Sequence, residues 1–136
     1  MQKRTVRSDF GEVSIRQHGI ITARVFQGVD IDVEKAKVYH ELVEYLSQSE
    51  PHCTVIDLTG VASITADARK HLQQTSSEWG RTIAVALITN SFTSRVMANF
   101  FLSVNKPSYP IKVFNDSVEA HQWAREHFEK YLAQAA

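Results

Sequence analysis

Residues able to do polar chemistry recur at one kind of place in this chain, just after an apolar run. Asp57 and Thr59 follow one run, with Thr65 and Asp67 a few positions on. Thr89, Asn90 and Ser91 follow the next, and Asn115 with Asp116 the last; Asp30 precedes a helical pattern. If the runs are parallel strands, these side chains gather on the carboxyl-end rim of one sheet, where open α/β sheets bind ligands. Thr, Asn, Ser and Asp are also the ordinary capping and turn residues. Both readings stand. The aspartates could offer oxygen ligands to a divalent cation. No spacing matches a metal-binding loop, so neither metal nor other cofactor is expected.

The histidines, His18, His40, His52, His71, His121 and His127, form no CxxC, HExxH or His-x-His pattern. Cys53 has His52 beside it, but neighbours in a strand point to opposite faces, which argues against a Cys–His nucleophile. Cys53 reads as a small buried hydrophobe. There is no G-x-S-x-G elbow, and the 5 glycines build no phosphate-cradling loop. These patterns give no catalytic residue, and the expectation is a protein that is not an enzyme.

Periodicity supplies the elements that must position the rim. Residues 12–17 alternate, with Val13 and Ile15 on one face, and 20–26 follow as a second strand after a turn at 17–19. Residues 5–8 read as a short added pairing segment. Asp30 or Asp32 caps a helix running to about Gln48, with Ala36, Tyr39, Leu42, Val43 and Leu46 on one face. Lys37 and Glu41 form an i,i+4 pair. Residues 53–58 are a strand with Val55 and Ile56 in succession, as expected when both faces are covered. Thr65 is an N-cap; Ala68, Leu72, Thr75 and Trp79 repeat at helical spacing before Gly80. Residues 82–89 contain IAVALI, a buried strand. Ser91 caps a third helix ending near Asn105, Pro107 and Pro110 break the chain, and 111–114 form a last strand. Asp116 and Glu119 have capping-box spacing, and the final helix buries Ala120, Trp123, Ala124, Phe128 and Tyr131. Two antiparallel strands followed by alternating helix and strand make an α/β architecture with a mixed sheet of about five strands and four helices.

The third helix carries too much apolar surface. Phe92, Val96, Met97, Phe100, Phe101, Leu102 and Val104 leave a polar stripe of only Arg95, Asn99 and Ser103. One packing contact needs an apolar arc of about 100°. The excess fits three partners: the terminal helix through Trp123 and Phe128, a homodimer, or a small apolar, lipid-like ligand. For the last two the surface is Phe92, Val96, Met97, Phe100, Phe101 and Val104.

At 136 residues one domain is expected, spanning 1–136, with a core large enough to fold without disulfide or metal. Lys plus Arg number 15 and Asp plus Glu 15, so no net charge draws the chain to nucleic acid. No apolar run approaches the roughly 20 residues of a membrane span. The start, MQKRTVRSDFGE, has no signal-peptide core, and a cytoplasmic location is the expectation.

The stretch TVIDLTGVASITADARKHL, residues 54–72, resembles the switch segment of the SpoIIAA-like or STAS family, the bacterial anti-sigma-factor antagonists and their relatives. A second stretch, MANFFLSVNKPSYPIKVFND, is similar to small uncharacterised bacterial proteins described as STAS or SEC14 domain-like. The resemblance implies a SpoIIAA-like fold and a non-enzymatic regulatory or protein-interaction module with a protein partner. The antagonists read Asp-Ser-Ser-Gly at the helix start, and the second Ser accepts phosphate. Here Thr65, Ala66, Asp67 and Ala68 stand at those positions, so the resemblance carries over the surface but no Ser switch. The expected interaction surface is Asp57, Thr59, Thr65, Asp67, Asn90 and Ser91. The alternative is a carrier or sensor of a small apolar ligand.

Overall fold

In chain order the elements are β1 (Arg4–Arg7), β2 (Gly11–Gln17), β3 (Ile20–Val25), β4 (Val29–Ile31), α1 (Val33–Ser47), β5 (His52–Asp57), β6 (Val61–Ile64), α2 (Ala66–Ser76), β7 (Thr82–Ile88), α3 (Phe92–Ser103), β8 (Ile111–Phe114) and α4 (Ser117–Ala135). The structure, a computed structural model, describes residues 4–17, 19–76, 81–103 and 109–135, without the side chains of 17, 73–76, 97 and 100–103. His18, Trp79, Gly80 and Val104, and the side chains of Thr75, Met97, Phe100 and Phe101, therefore lie outside the described residues.

Alternating residues make β1, β2 and β3 an antiparallel meander, with Val13 opposite Val6 and Ala23. From β3 the sheet continues in parallel through β5, β7 and β8, in the order β1-β2-β3-β5-β7-β8. The mixed α/β sheet and its four helices agree with the sequence, but β1 raises about five strands to six. Two further strands were not foreseen. The short β4 and β6 pair in parallel as a separate ribbon. Each is only 3 or 4 residues long and half exposed, so neither carries a periodicity that sequence can resolve. Gly60 fixes the ribbon: its carbonyl accepts from the Gly28 N–H at 2.8 Å, and a side chain there would strike the Val25 and Phe26 carbonyls.

Three helices share one face of the sheet. Val43 and Leu46 of α1 pack on Val13, Ile15, Ile21 and Ala23. Ala68 and Leu72 of α2 and Ala98 of α3 meet Val85 and Leu87 of β7. The other face is covered by α4, whose Ala120 and Ala124 sit on Cys53, Val55, Ala84 and Ala86. Val55 and Ile56 thus face opposite layers, the reason their succession is apolar. Cys53 is fully buried there, and burial pushes its thiol up to about 12.

Local chemistry sets the helix ends. Asp32, not Asp30, caps α1, accepting from the Lys35 N–H at 2.9 Å; Gln48 closes the helix in the left-handed region at φ 53°. Lys37 pairs with Glu34 at 3.9 Å, where sequence spacing favoured Glu41. Asp116 starts α4 by accepting from the Val118 N–H at 2.8 Å. Among the described residues no helix is long and apolar enough to cross a membrane.

Candidate functional site: an apolar cavity and a polar rim

The rim residues stand where the strand order puts them, and most are tied to local backbone. At the end of β5, Asp57 Oδ1 accepts from the Thr59 N–H at 2.9 Å and its hydroxyl at 2.6 Å. Thr65 caps α2, its Oγ1 accepting from the Ala68 N–H at 3.1 Å. Its own N–H donates to Ile31 O, joining α2 to the β4–β6 ribbon. Asp67 lies exposed in the first turn of α2, where the helix dipole favours a carboxylate. After β7, the Asn90 and Ser91 N–H groups both donate to Ser94 Oγ, at 3.2 and 3.1 Å, and Ser94 is fully buried. Asp57 and Ile88 are register partners at the two strand ends, and Asn90 and Ser91 follow Ile88 in the β7–α3 turn. Thr65 and Asp67 are set apart from them by β6. Among the described residues no group of three or more His, Cys, Asp or Glu side chains could hold a metal ion.

On α3, Phe92 is 81% exposed and Val96 51%, so this described part of the apolar arc is not covered within the chain. Among the described residues, the aromatic contacts of α4 run from Trp123 to Phe114 at 5.7 Å and to His127 at 4.4 Å, and from Phe128 to Tyr131 at 6.3 Å.

The feature that sequence reasoning missed is an apolar cavity of about 110 Å³ on the three-helix face. Its floor is sheet: Val13, Ala23, Ile56, Val85, Leu87 and Ile111. Its roof comes from the ribbon and helices, through Ile31, Ala36, Ile64 and Leu72, with Tyr39 and Tyr109 alongside. The walls are almost wholly carbon. Burial, with Tyr109 beside it, pushes the Tyr39 phenol well above its usual range, and burial raises Tyr109 as well. Neither tyrosine therefore ionises near neutrality, and the cavity holds no charge at depth. A weak signal was present in the sequence: two of the lining positions are alanines, Ala23 on β3 and Ala36 on α1, where larger residues would fill the layer. Nothing in a linear pattern says that both border the same space.

Ser8, Glu12, Arg24 and Lys35 border the cavity, but Glu12 and Arg24 are register partners that alternate with Val13 and Ala23, so their charged ends project from the other face of the sheet. Arg24 Nη2 lies 3.3 Å from Glu12 Oε2, and Arg7 Nη1 lies 3.0 Å from Glu12 Oε1. Lys35 Nζ lies 3.2 Å from Asp32 Oδ2. The bond from the Lys35 N–H, then that from its ammonium, holds the Asp32 carboxyl below its ordinary value.

Comparison with known proteins agrees with this architecture. A crystal structure of an uncharacterised protein of the DUF3478 family from Shewanella loihica PV-4, described as having a SpoIIAA-like fold, is similar to the chain with a TM-score of 0.58. It is 18% identical over 90% of this chain and 92% of that one, a likeness of fold alone. No curated protein matches the chain. The profile of a domain of unknown function, DUF7793, matches residues 13–128, and the chain belongs to that family.

Proposed function

We propose that this domain is a non-enzymatic binding module whose ligand is a small apolar molecule held between the sheet and helices α1 and α2. One observation carries the reading: a space of about 110 Å³ with carbon walls, in a layer where native packing leaves few voids larger than a water. A purely apolar space of this order stays dry and accepts an apolar guest; one of about 150 Å³ takes benzene. This ranks the apolar-ligand reading first, and moves its site from the exposed arc of α3 to the space beneath α1 and α2. The test is thermal unfolding with benzene or hexan-1-ol. A guest at a hundredfold its dissociation constant stabilises by about 2.7 kcal/mol. Ala36→Leu, which puts a side chain into the space, is expected to remain folded and to lose that response. An unchanged midpoint in the wild type, or an equal response in a folded Ala36→Leu, rejects the reading.

A second reading is a protein-interaction surface on the strand-end rim. It is supported by Asp67, an exposed carboxylate on the first turn of α2 beside the Thr65 cap. In this reading Asp67→Lys abolishes capture of a partner from the native host while the fold is retained. Undiminished capture of the same partner counts against it.

A further inference from the structure

We propose that Thr22 is a self-acylation site: His121 activates its hydroxyl, which takes an acyl group from an activated ester or thioester. Thr22 lies on the α4 side of the sheet. Its register partners are Val55, which packs under α4, and Ser14 on β2. The cavity is on the other side, so this site stands apart from the binding reading above.

The hydrogen bonds assign each group a role. His121 Nδ1 lies 2.8 Å from Ser117 O and 3.3 Å from Ser117 Oγ. A carbonyl only accepts, so Nδ1 carries the ring proton of the neutral imidazole. Nε2 is then the lone-pair nitrogen. It lies 3.0 Å from Thr22 Oγ1, whose O–H donates to it. A hydroxyl that donates to a base, with the base oriented by a third group, is the arrangement of an activated nucleophile.

Ser14 supplies the remaining part. It stands directly opposite Thr22 in the antiparallel pair and on the same face, with Cβ atoms about 4.5–5.5 Å apart. Its hydroxyl is a donor for the carbonyl oxygen of an acyl group under attack by Thr22. Ser14, Thr22 and His121 are each half-buried, and Thr5, opposite Ser14 on β1, is exposed. The α4 helix packs on β5 and β7 and reaches β3 at its flank, so an acyl donor approaches from the β1–β2 side.

The step is stoichiometric, one acyl group on each chain. Thr22 Oγ1 forms a bond to the acyl carbon while its proton passes to His121 Nε2. The bond from that carbon to the leaving oxygen or sulfur breaks, and the leaving group takes the proton from Nε2. The products are an ester on Thr22 and a free alcohol or thiol.

The experiment incubates the full chain with p-nitrophenyl acetate near neutral pH and maps the acetyl groups by peptide mass spectrometry over time. Thr22 is expected to be acetylated about a hundredfold faster in the wild type than in His121→Gln, the low end of a general-base effect. Glutamine keeps a side-chain acceptor for the Thr22 O–H, so a bond that only fastened α4 to the sheet would survive this change. Circular dichroism checks the fold of the variant. If it does not fold, the exposed Thr5 is the reference within the wild type, and Thr22 should outpace it by the same factor of about a hundred. Thr22 left unmodified in the wild type, acetylated no faster than Thr5, or acetylated equally fast in a folded His121→Gln overturns the proposal.

Discussion

The two faces of the sheet are built from the same strands and packed in opposite ways. On the α4 face, alanines of β7 meet alanines of the helix, Ala84 and Ala86 against Ala120 and Ala124, each fully buried. One long helix can settle close on such a surface because nothing else competes for it. Phe114, Trp123 and Phe128 pack against its edges. The other face is shared by α1, α2 and the β4–β6 ribbon, with Ala98 of α3 in the same layer. Each is held by its own contacts and caps, and none can move in to fill the space between Ala23 and Ala36. Small residues thus give tight packing under one helix and a cavity under several. Tolerance of added volume is set by the freedom of the covering elements, not by residue size alone.

This contrast breaks most directly under added volume. Ala86→Leu puts a large side chain beneath α4 and should cost about 3 kcal/mol. Ala36→Leu adds the same atoms beside the cavity and should be neutral or stabilise by about 1 kcal/mol. Urea unfolding of both variants decides it. Similar losses would mean that the two faces do not differ as described.

A second test sharpens the contrast at its buried edge. His52 is 4% exposed at the start of β5, and its Nδ1 lies 2.9 Å from Glu50 O. Burial lowers its pKa below the ordinary 6.5, although the Glu50 carbonyl and Glu44 pull the other way. The unfolded chain therefore binds the proton more readily than the folded one. The stability tied to neutral His52 is complete above about pH 6.5 and falls as pH drops below it. The slope can approach about 1.4 kcal/mol per pH unit at most. His52→Gln should flatten this part of the urea-midpoint profile; an unaltered profile would locate the acid sensitivity elsewhere.

The smallest expected effects lie on the rim. Thr65→Ala removes the cap of α2 and should cost about 1 kcal/mol. Asp67→Lys reverses a charge favoured by the helix dipole and should cost about 0.3–1 kcal/mol. Intact mass after incubation with Ser/Thr kinases should show no phosphate on Thr65, because its hydroxyl accepts the Ala68 N–H. A stoichiometric phosphate mapped there would restore a phosphorylation switch on this surface.

Much of the architecture was legible before the structure because it is written locally. Alternation at Val13 and Ile15, succession at Val55 and Ile56, and the spacing of Ala36, Val43 and Leu46 are one-dimensional signals of strand, buried strand and helix. So are the caps Thr65 and Asp116, and the structure keeps each of them. The rim was legible for the same reason, since strand order alone sets the end of β5 at Asp57 level with the end of β7, after which Asn90 and Ser91 follow. The choice of Asp32 over Asp30 as the α1 cap was not, because Asp30 is drawn into the ribbon, where its Oδ1 accepts from Ser63 at 2.6 Å. The cavity was least legible of all. Its walls come from β2, β3, β5, β7, β8, α1, α2 and the ribbon, and each wall residue looks like ordinary core in its own segment. The sequence determined which residues are apolar, where helices start, and how the strands alternate, because those depend on neighbours along the chain. Tertiary structure alone decided where packing stops short, because that depends on how separately anchored elements meet across distances that no local pattern encodes.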